Sequence, residues 1–100
     1  MVIGQMSFSD EKVQKVWEKG SIPIEAYKSE WRKDDCTAWI YRSAYGDRNS
    51  KYGWEIDHID PNGGDDLANL RPLQWKNNLD KGEGRLRCPV ISESNYNIEK

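Results

Sequence analysis

One short segment of the chain carries the residue types that phosphodiester hydrolysis requires. The single histidine, His58, directly follows Asp57, and the amide of Asn78 lies twenty residues further on. Hydrolysis needs a base that deprotonates water and a cation that neutralises the charge developing on the phosphate. Mg²⁺ takes oxygen ligands, keeps several waters and needs few protein contacts. Asp57 and the side-chain oxygen of Asn78 therefore predict a minimal two-ligand site beside His58.

Two further residues stand at a characteristic spacing from this site. Asn69 precedes Asn78 by nine residues, and Lys81 follows it by three. With the Asp-His pair they resemble the motif of the HNH (ββα-metal) endonuclease family, over residues 54–81. The resemblance implies a DNA endonuclease that leaves a 5′-phosphate.

The resemblance also implies a role for each residue. His58 would be the general base, and Asp57 and Asn78 would bind Mg²⁺, Mn²⁺ or another divalent cation. Asn69 would hold the loop between two strands through backbone hydrogen bonds and so fix the His58 ring. Lys81 would reach a phosphate, although the helix dipole equally explains a lysine in a last helical turn.

The structural zinc that many family members bind is not expected in this chain. Its downstream ligands would fall at Gln74 and Asn77, and its upstream pair near Cys36 and Trp39. One thiolate cannot complete a tetrahedral zinc site. We therefore expect apolar packing around Trp39 and Trp75 to replace the zinc.

The elements that must position these residues begin with an N-terminal helix. Ser9 is a good cap, and Val13, Val16 and Trp17 form one apolar stripe at helical spacing. Gly20 is a stop signal. The pattern predicts a capped amphipathic helix that backs the site.

The next part of the chain has weaker patterns. Residues 21–35 are predicted to be irregular, with four apolar side chains packing inward: Ile22, Ile24, Tyr27 and Trp31. Residues 37–45 are rich in β-formers and predict a strand that ends in a turn at residues 45–47.

The site segment itself predicts a strand, a polar loop, a short strand and a short helix, over residues 52–59, 60–66, 70–73 and 74–81. Pro72 requires an edge or a strand end, and Gly82 closes the helix. Residues 85–91 predict one more strand, and residues 92–100 a loose tail.

Local geometry leaves two points open. In a regular strand Asp57 and His58 face opposite sides, so they share a site only if the strand ends or twists there. Glu55 shares a face with Asp57; it either approaches the metal through water or is an ordinary exposed residue, which we slightly favour.

A calcium loop over residues 60–66 is not favoured, because its glycine and glutamate are out of register.

Composition bears on the partner. The 15 basic and 17 acidic residues are evenly mixed, and a net charge of −2 argues mildly against nucleic acid. Five basic residues either form a DNA-facing patch or belong to a solvated surface: Arg42, Arg48, Lys51, Arg71 and Lys76. With so few basic groups to spare, DNA affinity is expected to be weak, and a homodimer or a protein partner is one possible source of further DNA affinity.

Cysteine content and the N-terminus bear on the compartment. Cys36 and Cys88 are too few and too far apart for a disulfide framework and predict two free thiols in a reducing compartment. Residues 1–8 show no secretory signal, and no segment is long enough to span a membrane. We therefore expect a cytoplasmic protein without a membrane partner.

These observations predict a small single α+β domain with a ββα-metal core and an N-terminal helix. A helical and packing region covers residues 7–35, and a strand region covers residues 37–53. The ββα-metal core covers residues 54–82, and a C-terminal strand with its tail covers residues 83–100. The alternative is a non-catalytic binding or regulatory module on the same scaffold. The acidic balance favours that module a little, but intact His58, Asp57 and Asn78 favour the enzyme more.

Overall fold

Two helices and three two-stranded antiparallel sheets make up residues 8–100, the part of the chain that this computed structural model describes. The helices are α1 (Asp10–Trp17) and α2 (Trp75–Lys81). The strands are β1 (Trp31–Lys33), β2 (Trp39–Tyr41), β3 (Trp54–His58), β4 (Leu70–Gln74), β5 (Val90–Glu93) and β6 (Tyr96–Glu99), paired consecutively. The α+β class is confirmed. The expectation of no secretory signal concerns residues 1–8, of which 1–7 lie outside the described part.

Helix α1 forms as its cap and apolar stripe predict. The Ser9 hydroxyl accepts a hydrogen bond from the Lys12 amide (3.1 Å). Val13, Val16 and Trp17 are buried and form the core with four residues of the strands: Ile40, Trp54, Ile56 and Leu70. Helix α1 also contacts β4 and the turn before it, so it backs the β3–β4 hairpin.

The predicted order of strand, polar loop, strand and helix is present in β3, β4 and α2. Strand β3 ends at His58, which pairs in register with Leu70. Pro72 pairs with Ile56, in a two-stranded sheet where each strand is an edge. The Gln74 side chain caps α2 by accepting from two backbone amides, and α2 ends at Gly82, whose φ is +53°.

The expectations for residues 21–45 were partly wrong. Strand β1 was not predicted, and the strand expected over residues 37–45 is only Trp39–Tyr41, because Thr37 adopts a positive φ (66°) and residues 42–44 form a 3₁₀ turn. Trp31 is half-buried, but the other three expected packing residues are exposed: Ile22, Ile24 and Tyr27. They lie on a connecting segment, and connecting segments run over the surface.

The prediction of a loose tail was also wrong. Residues 92–100 lie largely in a β5–β6 hairpin that turns at Ser94, which has a positive φ (56°). Asn97 is buried and exchanges hydrogen bonds with the backbone of Trp39, and it also donates to the Lys51 carbonyl (2.9 Å). Polar bonds hold this hairpin, so the apolar pattern did not reveal it. The strand expected over residues 85–91 begins only at Val90.

The two cysteines form a disulfide, so the prediction of free thiols was wrong. Cys36 lies between β1 and β2, Cys88 lies before β5, and their Cα atoms are 5.3 Å apart across a sequence separation of 52. The free thiols were an argument for a reducing, cytoplasmic location, and the disulfide removes that argument. Within residues 8–100, no helix has the length and apolar character needed to cross a membrane.

Candidate active site

Three of the predicted site residues line one shallow pocket of about 230 Å³: Asp57, His58 and Asn78. Asp57 and His58 come from the end of β3, and Asn78 comes from α2, which packs against β3. Strand β3 pairs regularly through His58, and the pocket at its end is lined by both residues. Glu83, which sequence reasoning did not single out, also lines the pocket.

Asp57 is buried between two cations. Its Oδ2 accepts a hydrogen bond from Arg71 Nε (2.8 Å), and its Oδ1 lies 3.1 Å from Lys81 Nζ. A carboxylate offers about four lone-pair positions, so this pair of contacts leaves room for a further ligand. Arg71 also reaches Asp35 (3.1 Å), so it is engaged in ion pairs rather than in an open DNA-facing patch.

Lys81 is buried next to two residues of the pocket and is not one of the residues that line it. Its side chain is buried, and Nζ donates to the His58 carbonyl (3.1 Å) as well as pairing with Asp57. Lys81 therefore acts on the site by holding the end of β3. Contact of Lys81 with a phosphate stays a prediction.

Glu55 is fully buried, so the preferred interpretation of it as an exposed residue was wrong. Arg48 donates to both of its oxygens (2.7 and 3.0 Å), and Asn78 Nδ2 donates to Oε1 (2.9 Å). These bonds raise the pKa of Arg48. The pKa of Tyr45 is raised to about 12, mainly because the side chain is partly buried and also because of the negative charge of Glu55. Because Glu55 fixes the donor end of the Asn78 amide, Oδ1 is the end that remains to bind a cation.

The His58 ring is held by a carboxylate that sequence reasoning did not assign. Asp65 Oδ1 lies 2.6 Å from His58 Nε2. An ionised carboxylate can only accept hydrogen bonds, so Nε2 is the ring nitrogen that donates to Asp65, and in a neutral ring the lone pair is then on Nδ1. The atom able to act as a base is therefore Nδ1. Asp65 stands in the segment that carries the motif, but the sequence assigned it no role apart from the unfavoured calcium loop.

Asn69 makes the loop contacts that were expected of it. Its Oδ1 accepts from the Asp60 amide (2.8 Å), and its Nδ2 donates to the carbonyls of Asp60 (3.1 Å) and Gly64 (2.9 Å). The same loop carries Asp65, so Asn69 acts on the His58 ring through the loop.

Two lysines of the N-terminal segment add further anchors to this loop. Lys12 Nζ donates to the Asp65 carbonyl (2.8 Å), and Lys19 Nζ donates to the carbonyls of Leu67 (2.6 Å) and Leu70. Residues more than forty positions away in sequence thus hold the segment that orients His58. The function of α1 is therefore both core packing and positioning.

A buried carboxylate organises the region where a structural zinc was considered. Asp34 Oδ1 accepts from the amides of Cys36 and Ala38, and Oδ2 accepts from the Gln74 amide (2.9 Å) and Asn77 Nδ2 (3.1 Å). Burial raises the pKa of Asp34 despite these bonds. The hydrogen bonds join the β1–β2 turn to the start of α2.

Asn77 extends this network to β5. It donates to the Val90 carbonyl (2.9 Å) and accepts from the Val90 amide (2.8 Å). This network and the disulfide occupy the region, so the expected apolar packing around Trp39 and Trp75 was wrong. Within residues 8–100, no group of three or more His, Cys, Asp or Glu side chains is arranged to hold a metal ion. The candidate centre instead combines one carboxylate with one amide.

Comparisons with protein-family models, curated proteins and solved structures found no match to this chain. The resemblance to HNH endonucleases therefore rests on the residues of the motif alone.

Proposed function

We propose that this protein is a divalent-metal-dependent endonuclease that hydrolyses DNA phosphodiester bonds by HNH-type chemistry. One observation carries the proposal. His58, Asp57 and Asn78 line one pocket, and the Nε2 of His58 is bound by Asp65. In this proposal β3, its following loop, β4 and α2 are the ββα-metal core.

The donor set suits a hard cation. Asp57 keeps unused lone pairs, and Asn78 Oδ1 is the free end of an amide that Glu55 orients. Carboxylate and amide oxygens are ligands that Mg²⁺ and Mn²⁺ accept. When bound, such a cation neutralises the charge that develops on the phosphate.

The other residues act as a base and its supports. His58 Nδ1 takes the proton of the attacking water, and Asp65 stabilises the imidazolium that forms. Asn69 holds the loop that carries Asp65, and Lys81 holds Asp57 and the end of β3. As the water oxygen bonds to phosphorus, the P–O3′ bond breaks and the leaving 3′-oxygen takes a proton from solvent. The 5′-phosphate that remains is the product that the HNH resemblance implies.

One observation favours a non-catalytic binding module as the second candidate. Arg71 and Lys81 already compensate the charge of Asp57, so the folded chain does not depend on a metal to balance it. The net charge of −2 agrees with this alternative. A homodimer or a protein partner that supplies DNA affinity is compatible with either candidate.

The decisive experiment is nicking of supercoiled plasmid. We expect nicking with Mg²⁺ or Mn²⁺ and none with EDTA. His58→Ala should lower the rate by about 10²–10⁴-fold, the usual contribution of a positioned base. Asp57→Ala and Asn78→Ala should also lower it, with partial rescue by excess Mn²⁺, because they weaken metal binding.

Asn62→Ala is the control for Asn78→Ala, because Asn62 is an exposed asparagine in the loop between β3 and β4. It should nick at the wild-type rate. Absence of nicking with every divalent ion would favour the binding module. Wild-type nicking by His58→Ala would mean that the base is misassigned.

A further inference from the structure

A basic groove of about 430 Å³ lies on the side of α2 where the helix begins. It is lined mainly by three stretches of chain, residues 48–51, 74–76 and 96–99. The five basic residues singled out in the sequence separate here. Arg48, Lys51 and Lys76 line this groove, and Arg48 is also paired with Glu55. Arg71 is committed to Asp57 and Asp35, and Arg42 donates to Gln14.

The cations of the basic groove are held in place by an aromatic ring. The Arg48 guanidinium lies 5.8 Å from the centroid of the Trp75 ring, and Lys76 Nζ lies 5.4 Å from it. Such contacts favour a fixed position for a cation at a surface. Lys51 is exposed and makes no ion pair within residues 8–100. Glu99 is the acidic side chain of the lining, and it pairs with Lys76 (2.8 Å).

Arg48, Glu55 and Asn78 form a chain of hydrogen bonds that links the basic groove to the candidate active site. Trp75 and Asn78 are three residues apart on α2 and so share one face of the helix. Arg48 covers Trp75 and also binds Glu55, which holds Asn78.

We propose that the basic groove binds the DNA backbone next to the phosphate that is cut. The occupant follows from charge complementarity: three cations line the groove against Glu99 and the buried Glu55, and Lys51 is the cation that no carboxylate pairs within residues 8–100. The inference rests on the proposed function, because the bound strand is its substrate. The basic groove provides a local surface for phosphates on a chain whose basic and acidic residues are nearly equal in number.

The test is binding of a fluorescently labelled duplex oligonucleotide in EDTA, followed by polarisation over a range of salt concentrations. Each phosphate contact contributes about 0.9 to the slope of log affinity against log salt. Lys51→Gln should therefore lower the slope by about 0.9 and weaken binding about tenfold at roughly 50 mM salt. Lys51→Gln with Lys76→Gln should lower the slope by up to about 1.8.

Glu99→Gln provides a prediction of opposite sign. Removing this carboxylate frees Lys76 for a phosphate, so DNA affinity should rise. The matched controls are Lys28→Gln and Glu25→Gln, since these residues form a comparable exposed ion pair outside the groove. Both controls should leave the affinity close to that of the wild type.

The two proposals fail in different ways. Groove variants that bind like the Lys28→Gln control, or a wild-type chain that does not bind the duplex at low salt, would overturn the basic groove whether or not plasmid is nicked. If the predicted pattern of binding appears without any nicking, the basic groove stands and the endonuclease proposal falls.

Discussion

Replacing Gly63 by alanine probes how firmly Asn69 is held against the β3–β4 loop. A Cβ atom at residue 63 would lie 2.6 Å from Asn69 Nδ2 and 3.1 Å from its Cγ. The neighbouring Gly64 would place its Cβ in open space. Neither glycine has a positive φ, so alanine fits both backbones. The two positions differ in the atoms that the new Cβ meets, of which Asn69 is much the closest.

The magnitude follows from the hydrogen bonds of Asn69. Three bonds to the loop backbone hold its amide, and each contributes about 0.5–1.5 kcal/mol, with the lower end applying at this exposed loop. Displacing the amide should therefore cost about 1–2 kcal/mol. A Gly→Ala change at a compatible position stabilises by about 0.4–1 kcal/mol through the unfolded chain. Gly63→Ala should thus be destabilising and Gly64→Ala stabilising.

The assay is a double-mutant cycle followed by urea unfolding and tryptophan fluorescence. In an Asn69→Ala background the obstructing amide is gone, so Gly63→Ala should behave like Gly64→Ala. The coupling energy between residues 63 and 69 should be about 1–2 kcal/mol. Equal destabilisation by Gly63→Ala in both backgrounds would refute the reasoning and would implicate the Asp60 carbonyl, 3.3 Å from the same Cβ.

Two further predictions concern the region around the β1–β2 turn. Cys36→Ser with Cys88→Ser, or reduction of the wild type, should lower the free energy of unfolding by about 2–4 kcal/mol, because the disulfide closes a long loop. Thiol titration of the denatured wild-type chain should detect no free thiols, and finding two would contradict the disulfide. Burial raises the pKa of Asp34, so the folded protein holds this proton more tightly than the unfolded chain. The contribution of Asp34 to stability should therefore grow as the pH falls through that raised pKa towards 3.8 and be lost as the pH rises. Asp34→Asn should remove this component from urea unfolding measured across the acidic range, and an unchanged pH profile would show that another group carries it.

Short-range patterns in the sequence determined several elements correctly. The Ser9 cap and the stripe of Val13, Val16 and Trp17 predicted α1, since a helix is built from contacts three and four residues apart. Strand β3 and helix α2 were equally readable, with Gly82 at the end of α2. The motif residues Asp57, His58 and Asn78 could be chosen without knowing the fold, because their types and spacing are properties of the sequence.

Only the tertiary structure decided which groups these residues meet. The partner of His58 is Asp65, Asp57 lies between Arg71 and Lys81, and the Asn78 amide is oriented by a buried Glu55. The disulfide, the Asp34 network and the β5–β6 hairpin likewise join segments that are distant in sequence. Periodicity reports which face of an element is apolar, but it carries no information on which distant segment covers that face. Which polar groups are buried and paired is therefore decided by contacts between segments that are distant in sequence.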